Sequence, residues 1–123
     1  MSEEHKQATS PEELTKLFTE LANAKDAKGL ADLYEPDAVL AYPPGQMTVG
    51  RDAILAVYER LVAMGLHFPF EETLPTIRSG DLALTSTYRR DGVGVRVQVA
   101  RRQPDGSWLR IIDRPETPPP VGN

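Results

Sequence analysis

The chain has 123 residues, 40% hydrophobic and 26% charged, and a formal net charge of −4. This length suits one domain with one core, and an acidic chain without interleaved aromatics is a poor match for nucleic acid. Cysteine is absent, which excludes disulfides, thiolate metal sites and a cysteine nucleophile.

The opening "MSEEHKQATSPEE" is polar and acidic, unlike a signal or transit peptide. No apolar run approaches the roughly 18 residues needed to cross a bilayer, so no membrane partner is expected and a cytoplasmic location is the default. Residues 1–9 read as a flexible leader. Ser10-Pro11-Glu12-Glu13 then reads as a helix start, with Ser10 as cap, Pro11 in the first turn and Glu13 completing a capping box. Leu14, Leu17, Phe18, Leu21 and Ala22 follow at helical spacing as one apolar stripe.

Asp26 is placed to cap a short second helix reaching Tyr34, where Pro36 forbids continuation. Ala38 to Tyr42 reads as a short strand stopped by Pro43-Pro44-Gly45, and Met47 to Val49 as a short return strand. A third helix is expected from Arg51 to Met64, ended by Gly65, with Ile54, Val57, Tyr58, Leu61 and Val62 as its inner stripe.

Four strand-like runs complete the domain: "HFPFEETLPTIR", "DLALTSTYRR", "VGVRVQVARRQ" and "SWLRIID". Ser79-Gly80, Asp91-Gly92 and Pro104-Asp105-Gly106 between them are hairpin signals. The stretch after residue 114, "PETPPPVGN", reads as a proline-rich tail over residues 115–123. Helices first and a strand meander afterwards predict an α+β domain over residues 10–114, with helices on one face of a curved antiparallel sheet.

The motifs "LYEPDAVLAYPPG", "GRDAI" and "QPDGSW" in this order resemble the nuclear transport factor 2-like superfamily, in its SnoaL-like and ketosteroid-isomerase-like branch. The resemblance covers about residues 10–114. It implies a cone whose bent sheet wraps three N-terminal helices around a small-molecule pocket, usually in a homodimer. The same fold hosts isomerases, cyclases, dehydratases, epoxide hydrolases and binding modules, so it does not decide the function.

Closing the last hairpin at Gln103 and Gly106 pairs Arg96 with Asp113, Gln98 with Ile111 and Ala100 with Leu109 on one face. Leu84, Ser86 and Tyr88 join that face from the preceding strand. The other face then holds Val95, Val97, Val99, Arg101, Trp108, Arg110 and Ile112. A single-residue slip would exchange the two sets. The family comparison turns the first set into the pocket, which makes Tyr88, Arg96, Gln98 and Asp113 its polar floor. The valine-rich set becomes a convex face needing cover, as in a homodimer.

In the steroid isomerases the base is an aspartate just before the proline of the strand-ending turn, and Tyr42 stands there. The acid that donates to the oxyanion matches Gln98. With both carboxylates replaced, ketosteroid isomerase activity is not expected, since a phenol with an ordinary pKa of about 10 is a poor base. Asp113 is the acid left for catalysis, with Tyr42 as hydrogen-bonding partner. Arg96, Gln98, Tyr88 and Tyr58 are the expected ligand contacts.

Arg96 opposite Asp113 is either a structural ion pair or an anchor for a carboxylate or enolate. Seven of the ten arginines lie between Arg89 and Arg114 against three acids there, so any ligand is expected to be anionic, although acidic helices beside a basic sheet would give the same imbalance. His67 reads as a rim residue or a helix C-terminal partner and His5 has no role, so no metal is expected; nor is an organic cofactor. The expected activity is cofactor-free proton transfer or a lyase or isomerase step. The competing reading is a non-catalytic ligand-binding or protein-interaction module. A continuous cavity holding an adventitious ligand beside Asp113 would favour ligand binding; one plugged by Tyr42, Phe68 and Phe70 would favour interaction.

Overall fold

A computed structural model of the chain describes residues 6–89 and 94–115. The Asp91-Gly92 turn and the tail from residue 116 lie outside these residues, as do residues 1–5.

Three helices open the chain: α1 (Pro11–Asn23), α2 (Ala27–Ala31) and, after two short strands, α3 (Arg51–Ala63). Ser10 sits in extended geometry and accepts the Glu13 N–H, as its side chain predicts. Glu13 reaches back one residue further than a capping box requires, to the backbone N–H of Thr9 at 2.8 Å. Asp26 caps α2 through the Gly29 N–H. α3 starts at Gly50 with φ +95° and ψ 147°, a region open in practice only to glycine.

The six strands are β1 (Tyr34–Leu40), β2 (Thr48–Val49), β3 (Ile77–Ser79), β4 (Leu82–Tyr88), β5 (Val95–Arg102) and β6 (Trp108–Arg114). They form one curved, open sheet in the order β2-β1-β6-β5-β4-β3. All neighbours run antiparallel except β1 and β6, which are parallel. The helices pack on the concave face, where Leu14, Leu17, Leu30, Leu33, Leu40, Ile54, Val57, Ala83, Ala100 and Trp108 form the core. This is the α+β cone that the resemblance implies, with a mixed sheet in place of the wholly antiparallel one expected from the chain order. Among the described residues, no helix is long and apolar enough to cross a membrane.

Several local expectations are corrected. The second helix stops at Ala31 and the strand starts at Tyr34, four residues earlier than expected. Pro36 fits because the β1–β6 register slips between Tyr34 and Val39, so the ladder does not need the missing N–H. In "HFPFEETLPTIR" only Ile77–Ser79 is strand, with one bridge from Thr73 to Thr87. Pro69 and Pro75 cannot donate, and residues 65–76 instead form a strap beside the sheet. The leader is packed in its last part: Ala8 is 1% exposed and its carbonyl accepts the Trp108 N–H at 3.0 Å.

The most consequential correction is the β5–β6 register. Gln103 N–H also bonds to the Ser107 carbonyl, so the hairpin carries one extra residue, Gly106, at φ +89°. This is the bulged three-residue loop that Pro-Asp-Gly favours. A second irregularity lies between Val99 and Ala100. The pairs become Ala100 with Arg110, Val99 with Ile112 and Gln98 with Asp113. Two slips of one residue cancel for Asp113, which keeps its expected face. Only one slip applies to Trp108 and Arg110, so both turn inward rather than outward. On β4, Ala83, Thr85 and Thr87 oppose Ala100, Gln98 and Arg96, which moves Leu84 and Tyr88 to the outer face.

Candidate functional site

The concave face encloses a cavity of about 250 Å³. Its apolar wall comes from Phe18 of α1, Tyr58 and Leu61 of α3, Leu40, and Phe68 of the strap. Asp113, Arg110, Gln98 and Arg96 reach it from β6 and β5, and Tyr42 from the end of β1. Five of the six expected site residues therefore line one space: Asp113, Tyr42, Arg96, Gln98 and Tyr58. The sixth, Tyr88, pairs with Val95, is half exposed and lies on the outer face. His67 is exposed and outside the cavity.

The floor is a hydrogen-bonded file. The Tyr34 hydroxyl donates to Asp113 Oδ2 at 2.5 Å and lies 2.6 Å from the Tyr58 hydroxyl. A phenol has one proton, and that of Tyr34 is committed to Asp113. Tyr58 must therefore donate to Tyr34, and its oxygen is left as an acceptor. Arg110 Nη1 stands 3.4 Å from Asp113 Oδ2 and 3.5 Å from the Tyr34 hydroxyl oxygen. Its guanidinium also lies over the Phe18 ring at 5.1 Å and the Tyr34 ring at 5.9 Å, so aromatic faces share the work of holding a buried cation.

All four members are deeply buried: Tyr34 0%, Asp113 2%, Arg110 3% and Tyr58 5% exposed. Burial first, and then the charge of Asp113, push both the Tyr34 and Tyr58 phenols above their ordinary range. Burial alone would lower the Arg110 guanidinium; Asp113 and the two tyrosines outweigh it and raise it. The phenols are thus neutral hydrogen-bonding groups at neutral pH and cannot serve as bases. Asp113 Oδ1 and Arg110 Nε are buried without a protein partner among the described residues, which leaves unused hydrogen-bonding capacity at the floor.

The expected Arg96–Asp113 pair does not form. Arg96 instead grips Glu71 of the strap, with Nε to Oε1 at 2.8 Å and Nη2 to Oε2 at 3.2 Å. Arg110 takes the place beside Asp113. Gln98 is 6% exposed, and its Oε1 accepts from the Thr85 hydroxyl at 3.0 Å. Tyr42 has its carbonyl held by the Thr48 hydroxyl at 2.7 Å, and the Tyr42–Pro43 peptide is cis.

Three contributors were missed from the residues alone. Tyr34 reads as an inward-facing residue at the helix–pocket boundary, but its bond to Asp113 follows only once β1 is known to ladder against β6. Arg110 carries no motif, and its face depends on the Gly106 bulge. Glu71 lies in a segment that resembles a strand. The one available signal was Pro104-Asp105-Gly106, which favours the bulged loop over the two-residue one.

No curated protein matches the chain. Among solved structures, an NTF2-like protein with a cystatin-like fold from Novosphingobium aromaticivorans is similar at 22% identity, over 83% of this chain and 75% of that one, with a TM-score of 0.59. A ketosteroid isomerase-like protein from Erwinia carotovora atroseptica is similar at 21% identity, over 87% and 94%, with a TM-score of 0.61. A Catenulispora acidiphila protein solved in complex with S-DNPA is similar at 19% identity, over 83% and 86%, with a TM-score of 0.59. Such distant likenesses establish the fold. The profile of the SnoaL-like domain matches residues 14–114, nearly the span of the cone, and the chain therefore belongs to the SnoaL-like domain family.

Proposed function

We propose that the cavity receives a small organic molecule with an apolar body, and that Asp113 exchanges a proton with it in a cofactor-free isomerase- or lyase-type step. The observation carrying this is the buried Tyr58–Tyr34–Asp113 file, which ends in a carboxylate oxygen without a protein partner beside an apolar wall. Asp113 is the proton acceptor, and Tyr34 positions it by fixing Oδ2. Tyr58 and Tyr42 meet the polar end of the ligand, as does the Gln98 amide. The wall is open rather than plugged: Tyr42 and Phe68 line the space, while Phe70 is 60% exposed away from it. The complex of the Catenulispora protein fits a ligand-holding role for this fold.

The test is proton exchange at carbon. Small cyclic ketones in D2O are followed by NMR for loss of the hydrogens next to the carbonyl. General-base catalysis contributes about 10²–10⁴-fold, so Asp113→Asn is expected to lose at least ~100-fold of any acceleration over buffer. Equal rates for Asp113→Asn and wild type would remove Asp113 from the chemistry.

A second reading, a protein-interaction module, has its own observation. Leu82, Leu84, Tyr88 and Ile112 are exposed on the outer sheet face beside half-buried Val95, Val97 and Val99. We infer a homodimer through this convex face, in which Tyr88 is an interface residue instead of a ligand contact. Light scattering of wild type and Leu84→Glu tests it: a dimer is expected for the first and a monomer for the second.

A further inference from the structure

Four charged side chains line the cavity, and they cancel in pairs. Arg110 faces Asp113 at the floor. At the wall, Arg96 presents the Nε and Nη2 edge of its guanidinium to both oxygens of Glu71, and Nη1 donates to the Pro115 carbonyl at 2.7 Å. The Thr87 hydroxyl adds a long contact to Glu71 Oε1 at 3.4 Å. Glu71 is well covered, its side chain 12% exposed, while that of Arg96 is 31% exposed.

The arginine excess of the C-terminal half points to an anionic ligand only if one of those arginines can take an anion inside the cavity. Both lining arginines already face a carboxylate of the chain itself, Arg96 that of Glu71 and Arg110 that of Asp113. The planar edge of Arg96 that would fork onto a ligand carboxylate already holds one from its own chain. A second carboxylate entering the space would meet Glu71 and Asp113, two like charges, in surroundings that screen them poorly.

We propose that Glu71 sets the charge class of the ligand. Its carboxylate fills the Arg96 fork from within, so the cavity accepts uncharged molecules and turns away carboxylates. This rests on the reading of the cavity as a ligand site. Glu71 is then a specificity residue on the strap, and its removal exposes a latent anion site at Arg96. The polar atoms left for the ligand at the floor include the Tyr58 oxygen, an acceptor, and the Gln98 amide nitrogen, a donor, beside Asp113 Oδ1 and Arg110 Nε. An alcohol or a ketone can use them without bringing charge.

The experiment compares 2-naphthol with 2-naphthoate at pH 7, one ring system with a neutral and an anionic head, by NMR titration of the wild-type chain. The naphthol is expected to bind tighter by about tenfold or more, a gap of roughly one decade in Kd. In Glu71→Gln the naphthoate should gain about tenfold while the naphthol changes little, because only the anion finds a new partner. Glu71→Asp, which keeps the charge, should keep the wild-type preference. Glu71→Gln combined with Arg96→Gln should lose the gain. Naphthoate binding the wild type as tightly as naphthol overturns the proposal, and this comparison needs no variant to fold. A gain that survives in the double variant also overturns it, because the anchor would then be Arg110. If neither probe shifts any cavity resonance in the wild type, the ligand-site reading itself falls, and the charge rule with it.

Discussion

Removing either member of the Arg110–Asp113 pair should cost more than removing both. The two side chains are 3% and 2% exposed and 3.4 Å apart, which gives an attraction of about 5 kcal/mol at an effective dielectric of about 20. Asp113→Asn keeps the shape and a hydrogen bond from Tyr34 but leaves the guanidinium with no counter-charge. Part of the loss is recovered because Arg110 still lies over the Phe18 and Tyr34 rings, a contact worth about 1–2 kcal/mol when desolvated. The expected net loss is about 3 kcal/mol, near the lower end for breaking a buried pair. Arg110→Met strands the carboxylate and should cost a similar amount. The double variant removes both charges together and should lose only about 2 kcal/mol, since apolar replacement of a buried pair is often near neutral. Urea unfolding at pH 7 reads each value; with a slope of about 1.5 kcal/mol/M, a single substitution moves the midpoint by about 2 M. If the double variant loses the sum of the two single losses, the guanidinium and carboxylate do not feel each other and the electrostatic account of the floor is wrong.

The buried phenols predict an alkaline limit. Tyr34 and Tyr58 have folded pKa values raised above the unfolded one. Their contribution is therefore complete below about pH 10 and falls as pH rises further, by up to about 1.4 kcal/mol per unit for each tyrosine. Urea midpoints between pH 9 and 11.5 should drop steeply in wild type and less so in Tyr34→Phe with Tyr58→Phe; equal slopes would contradict the burial argument. Asn23→Ala removes two reciprocal 2.7 Å bonds to the backbone of Phe68, about 1–2 kcal/mol in sum. Hydrogen exchange at the Phe68 amide should accelerate while β5 amides stay protected. Gly50→Ala should lose about 2 kcal/mol from backbone strain alone, because an added Cβ finds its nearest atom at 3.7 Å; thermal melts check this.

The helices were legible because their signals are local. Ser10 and Asp26 cap the turns they precede, and the stripe from Leu14 to Ala22 faces the core as its spacing demands. Asp113, Gln98 and Tyr42 also reached the cavity as expected. The site's pairing was not legible, because it depends on distant register. One glycine in the hairpin and one irregularity near Val99 decide that Arg110, not Arg96, meets Asp113. Tyr88 was misplaced for the same reason, as a single-residue offset on β4 exchanges its faces. Glu71 required knowing that Pro69 and Pro75 confine the strap's pairing with β4 to residues 72–74, which only the full packing reveals.

Arg51, the first residue of α3, gives both Nε and Nη2 to the Tyr34 carbonyl, at 3.0 and 2.6 Å. The helix that carries Tyr58 is thereby bolted to the strand that carries Tyr34. That strand in turn is laddered to β6, which carries Asp113. Tyr58, Tyr34 and Asp113 thus sit on elements tied directly to one another, while the strap that carries Phe68 and Glu71 is tied to β4 instead, through Glu72 and Leu74. A substitution that loosens any one of these ties is therefore expected to be felt at all three side chains together.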